Sequence, residues 1–171
     1  MKKVFGYKCF NKDHTNRYGM KFVEGRTYTS FDEVSFGSTA KGGYHMCKQM
    51  EDTFRFFPAD SEEVSVARVI GSGKIVTRDD EYNGFFDMYS VENIYIDRFL
   101  HRQDIINYFL DREESRVCRF IQLFKLTDEE IELFKLRFSN STCVMNYIKY
   151  YQLGDKEAFK TKVYKKEMRH E

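Results

Sequence analysis

The sequence predicts an α+β protein: a β-rich, mixed or antiparallel N-terminal module followed by a C-terminal helical extension. Three observations carry this. Apolar residues recur at alternate positions in several short runs before residue 100, the period of half-buried strands. Beyond residue 102 the spacing lengthens to that of an apolar helix face, as in Ile105, Ile106, Phe109 and Leu110. Thr127-Asp128-Glu129-Glu130 then has the form of a capping box, in which residues three apart satisfy each other's backbone amides. The change of pattern places a β-rich domain with one short helix at 1–100. A helical extension at 101–171 is packed on or beside it.

Taken in order, Lys2 to Phe10 alternates Val4, Gly6 and Lys8 against Phe5, Tyr7 and Cys9, a first strand. Asn11 to Gly19 is rich in turn formers. Met20 to Val23 and Arg26 to Thr29 flank Glu24-Gly25 as a short hairpin. Gly42-Gly43 allows a turn into Tyr44-His45-Met46-Cys47, a strand with His45 and Cys47 on one face and Tyr44 and Met46 on the other. Met50, Phe54 and Phe57 suit a short helix that ends before Pro58. Val64 to Ile70 and Lys74 to Thr77 read as a hairpin about Gly71-Ser72-Gly73, followed by an acidic loop from Arg78 to Gly84. Glu92 to Phe99 is the last strand. The helices follow: one through Phe138 with Ile131, Phe134, Leu136 and Phe138 as its apolar members, and one capped by Ser141 or Thr142 and stopped by Gly154. Asp155 caps a last, basic helix through Met168.

Composition narrows the function. With 42% hydrophobic and 32% charged residues the chain is expected to be folded and soluble, and its 17 Phe and 12 Tyr supply an aromatic core. Lys plus Arg number 28 against 27 for Asp plus Glu, so no overall field favours nucleic acid or an anionic membrane. The absence of a long apolar run or a signal-peptide core predicts a cytoplasmic protein with no membrane association. Cys9, Cys47, Cys118 and Cys143 show no CxxC spacing, and in that compartment they are expected as free thiols.

The first hundred residues resemble a family of uncharacterised domains of bacteria and their phages. The likeness is carried by Gly6-Tyr7-Lys8 with Phe10, by Gly43-Tyr44-His45-Met46-Cys47, by Phe54, Phe56, Phe57 and Pro58, and by a valine-rich strand ending near Gly71 or Gly73. The resemblance implies an accessory protein of a phage or mobile element. A second likeness is to ADP-ribosyltransferase folds: Ser90-Val91-Glu92-Asn93-Ile94-Tyr95-Ile96-Asp97 is similar to the late strand that carries their catalytic glutamate. It implies Glu92 as the acid that stabilises the developing sugar cation, Tyr44 stacked on the nicotinamide, and Tyr7 and His45 as further contacts to NAD. The chain departs from that pattern in offering Tyr7 and Lys8 where those enzymes place a His or Arg, and in lacking their serine-centred strand.

Other constellations have plainer readings. Cys9, His14, His45 and Cys47 are the residue types of a zinc site, yet their spacing fits no standard knuckle; buried thiols and a hydrogen-bonded histidine, with no metal, are expected instead. His45 and Cys47, two apart on a strand, are about 6–7 Å distant, too far for direct activation of the thiol. Asp79-Asp80-Glu81 lacks calcium-loop spacing, and Gly71-Ser72-Gly73-Lys74 lacks the longer glycine spacing and following helix of a phosphate loop. Lys160, Lys162, Lys165, Lys166, Arg169 and His170, with Tyr164 among them, give nucleic acid its sole foothold, on the basic C-terminal helix. Aromatic helix faces around Phe120 to Phe138 and Val144 to Tyr151 serve as core, and also allow homo-oligomerisation.

The expectation is therefore a binding protein without catalysis or cofactor, acting through a host protein partner such as a defence or regulatory complex. The alternative is an ADP-ribosyltransferase-like enzyme, active or degenerate, using NAD. An enzyme requires Glu92 and Tyr44 to meet in one pocket; a binder requires an exposed apolar or aromatic patch.

Overall fold

The computed structural model describes residues 2–35, 42–56, 64–80 and 85–159, with backbone alone at 78–80 and 85–87. It has the α+β class expected: an antiparallel sheet followed by helices. The chain divides into two compact units, Met1–Arg102 and Gln103–Glu171.

In the first unit the strands are β1 (Lys3–Asn11), β2 (Thr27–Thr29), β3 (Tyr44–Cys47), β4 (Val64–Asp80) and β5 (Phe85–Leu100). The helix α1 (Met50–Thr53) runs into a 3₁₀ turn, Phe54–Phe56, after β3. All the pairings are antiparallel: β1 joins β4 and β3, and β5 joins β4, β3 and β2. Four strands thereby close a ring, β1–β4–β5–β3, with β2 added along β5. Closure reduces the free edges that an open sheet exposes, with β2 left as an edge strand. The alternation seen in the sequence sorts the side chains: Val4, Phe10, Met46, Val69, Val91, Ile94 and Ile96 gather with Phe22 in one buried cluster. Each such side chain, fully buried, contributes roughly 1.5–3 kcal/mol. On the other face, α1 covers Cys9 and Cys47, both buried.

Three local expectations are corrected. The Gly71-Ser72-Gly73 hairpin does not form; β4 runs through it to Asp80, and its hairpin partner is β5. Gly71 is needed for close approach, since a Cβ there would lie 2.6 Å from Val91 Cγ1 and 2.9 Å from Val4 Cγ2. Gly73, with φ 79°, occupies a register shift between Ser72 and Ile75, the signature of a bulge. Accordingly residues 78–80 are strand rather than acidic loop, and 81–84 lie outside the described residues. The expected hairpin about Glu24-Gly25 also has a different partner. Thr27–Thr29 pairs with Asn93–Tyr95 of β5, while Phe22 turns into the core and Lys21 merely bridges Thr15.

The second unit holds α2 (Arg102–Leu110), α3 (Glu114–Leu123), α4 (Asp128–Arg137) and α5 (Thr142–Tyr147), α5 widening into a π-helical turn at Ile148–Gln152. The capping box forms as read: Thr127 Oγ1 accepts from the Glu130 amide and Glu130 Oε2 from the Thr127 amide. Ser141, not Thr142, caps α5 through the Val144 amide. Ile131, Phe134 and Phe138 are buried, but Leu136 is 77% exposed, because at about 100° per residue it falls on the side of the helix opposite to the stripe. Phe109 and Phe120 stack at 3.8 Å, and Phe124 and Phe134 lie 4.7 and 6.0 Å from Phe120. Gln152, on the π turn, donates to the carbonyls of Ile121 and Phe124 and accepts from the Leu126 amide, so one side chain secures the end of α3 and the segment after it. The expected basic helix from Asp155 reaches the described residues only as a turn at 156–159; Lys160 and its basic neighbours lie outside them. No helix among the described residues is long and apolar enough to cross a membrane.

Candidate functional site

The first unit carries a cleft of about 790 Å³, lined from β1 by Tyr7, Lys8 and Cys9 and from β3 by Tyr44, His45, Met46 and Cys47. Its other wall comes from the loops at 16–20 and 29–32. The opening has a backbone cause. Strands β1 and β3 pair only where Tyr7 stands opposite Cys47, so the seam is unpaired beyond that point. The Gly42-Gly43 corner sets the position of β3: Gly43 has φ 80°, and a Cβ on it would meet the Val91 carbonyl oxygen at 2.7 Å. Ser90 Oγ donates to the Gly42 carbonyl from β5 and ties that corner down.

Lys8 stands in the seam. Its position among Val4, Gly6 and Phe10 is on the core-facing register of β1, and its ammonium donates to the His45 carbonyl at 2.8 Å. No carboxylate pairs with it among the described residues; the only acid in the cleft lining is exposed Asp32. Burial, the largest cause, lowers the Lys8 pKa to about 8; Cys47 and Cys9 oppose the shift, and the Arg17 guanidinium adds a smaller push downward. Burial likewise lowers the pKa of His45, followed by the Lys8 charge, while its Nε2 lies 3.4 Å from the Ser35 carbonyl. Lys8 and the exposed Arg17 are the cations of the cleft lining, against the single acid Asp32. The rim is aromatic and apolar: Phe31 is 100% exposed, Tyr18 67%, Met20 39% and Phe56 39%.

The lowered Lys8 value has a sign in stability. Between about pH 8 and the ordinary lysine value of 10.5 the unfolded chain binds the proton and the folded chain does not. Stability contributed by this group therefore rises with pH across that window. Urea midpoints at pH 8 and pH 10 should show an upward increment for the wild type relative to Lys8→Met. Identical pH dependence in the two proteins would remove the claim.

The sequence candidates fall in separate places. Tyr7, Tyr44 and His45 line the cleft, with Tyr44 also set edge-on to Phe22 at 6.1 Å. Glu92 does not line it. By strand alternation it lies on the opposite face from Val91, the residue paired with Tyr44, and its carboxylate accepts from the Lys74 amide at 2.9 Å within the β4 bulge. Glu92 and Tyr44 are not brought together. Of the four metal candidates, His14 sits apart, at φ 65° and stacked 3.6 Å from Phe99 in a second cleft, while Cys9, His45 and Cys47 line the first. No group of three or more His, Cys, Asp or Glu side chains able to hold a metal occurs among the described residues. Burial pushes the Cys9 pKa up to about 12, so its thiol stays protonated and is a poor nucleophile.

Sequence reading passed over Lys8 and Arg17 as site residues. The signal for Lys8 was present, a cation on the apolar register of a strand. Arg17, Tyr18 and Phe31 lie in irregular segments, where no period announces which residues share a wall. Residues 4–84 match the family described as Domain of unknown function (DUF7666). Neither a curated protein nor a solved structure matches the chain.

Proposed function

We propose that this protein is a non-catalytic binding module whose cleft takes a segment of a protein partner bearing an acidic group beside an aromatic or aliphatic side chain. The observation that carries the reading is the Lys8 ammonium, held in the cleft without a carboxylate partner among the described residues, with Arg17 in the same lining. A cation held out of water without a counter-ion costs energy that an incoming anion offsets, and partial burial makes that pairing stronger than on an open surface. The exposed Phe31 and Tyr18 rings add rigid contact area at low entropic cost. A phage or mobile-element source and a host complex as the target extend this proposal on the strength of the sequence signature, and cytoplasmic residence extends it on the apolar pattern of the sequence.

The test is selection from a displayed random-peptide library on immobilised protein, in parallel with Lys8→Met. The wild type is expected to enrich peptides with Asp or Glu adjacent to Phe, Tyr or Leu, and the variant to lose that enrichment. Recovery of the same peptides by both proteins, or of none by the wild type, would overturn the reading. NAD, added at millimolar concentration, is expected to leave the melting temperature unchanged, since Glu92 and Tyr44 share no pocket. A shift that Tyr44→Ala removes would instead support the transferase.

A further inference from the structure

In the second unit, Cys118 on α3 and Cys143 on the first turn of α5 place their sulfurs 3.2 Å apart. Both are free thiols. Cys118 is buried and Cys143 exposed, so one sulfur can be reached from solvent and the other cannot. A disulfide bond has a length of about 2.05 Å, so the sulfurs need to approach by only about 1 Å. Packing of α3 against α5 holds the pair in place, and Tyr147 lies beside it. The other two cysteines provide an internal contrast: Cys9 and Cys47 are both buried, whereas Cys143 is exposed.

We propose that Cys118 and Cys143 form a reversible dithiol–disulfide pair oxidised by a peroxide, a modification site separate from the cleft. Cys143 is the sulfur that reacts first, since it is the one exposed to solvent, and burial pushes the Cys118 pKa up to about 12, which leaves that thiol protonated. The Cys143 thiolate attacks one peroxide oxygen; the oxygen–oxygen bond breaks, and a sulfenic acid forms with release of hydroxide, which takes up a proton to give water. Cys118 sulfur then attacks the sulfenic sulfur, its proton leaving with the hydroxyl as a second water. Two thiols have lost two electrons and two protons, and hydrogen peroxide has become two waters. The product joins α3 to α5, closing a loop over the intervening α4. A small-molecule thiol such as glutathione reverses it by exchange at the exposed Cys143 sulfur.

The experiment treats the whole protein with hydrogen peroxide and follows it by intact mass and peptide mapping under non-reducing conditions. The expected product is a monomer lighter by two hydrogens, with Cys118 linked to Cys143, restored by glutathione. Cys143→Ser, at an exposed position, should stay folded and lose no hydrogens; Cys118→Ala should instead accumulate oxygen atoms on Cys143. Wild-type protein that gains oxygen on Cys143 without linkage, or that links between chains, would overturn the proposal. So would linkage involving Cys9 or Cys47.

Discussion

Gly6→Ala is expected to destabilise the first unit by about 3–5 kcal/mol, at the upper end of what a single substitution does. The cause is backbone, not side chain. A methyl at Gly6 would overlap the Cys47 carbonyl oxygen and lie 2.8 Å from Met46 Cε. Methionine is able to move aside, but the carbonyl belongs to β3, at the residue whose pairing with Tyr7 closes the ring. Relief therefore requires β1 and β3 to part. Gly19→Ala is the control: φ is 78° there and nothing lies within 4 Å, so the cost is the conformational one alone, about 1–2 kcal/mol. Urea denaturation of the two variants measures the difference. Equal midpoints would mean that the β1–β3 seam is not a structural constraint.

Phe120→Ala is the second large effect, expected to cost about 3–5 kcal/mol in the helical unit. Phe120 is fully buried between Phe109, stacked at 3.8 Å, and Phe124 and Phe134. Removal of the ring takes away transfer energy and leaves a space that three aromatic neighbours, fixed on two other helices and a turn, fill poorly. Phe120→Leu keeps most of the volume and should lose less than half as much. The helical circular-dichroism transition in urea reports both. If alanine and leucine cost the same, the stack is not what holds these helices.

These two sites also show what the sequence conveyed. The alternation about Gly6 and about Tyr44 gave the correct faces, because successive side chains of a strand point to opposite sides of the sheet. The Thr127 box located the start of α4 because capping is a local interaction. Glycine at 71 misled, since a turn and a close strand contact call for the same residue; only the Val4, Val91 and Met46 side chains facing it decide between them. The π turn had no signal, as its reason is Gln152 reaching carbonyls about thirty residues earlier. The cleft was legible in part. Tyr7, Tyr44 and His45 were named for NAD, and they do line one cavity, but the cation between them and the rim opposite depend on where the loops return.

The most direct test of the cleft is a titration of ¹⁵N-labelled protein with N-acetyl-phenylalanyl-aspartate, a small probe that joins a ring to carboxylates. Its neutral diamide serves as the comparison. The account predicts amide shifts at Lys8, Arg17, Tyr18, Tyr44 and His45 with the acid, little with the diamide, and their loss in Lys8→Met. Shifts confined to residues 103–159, or equal shifts with the neutral probe, would contradict it.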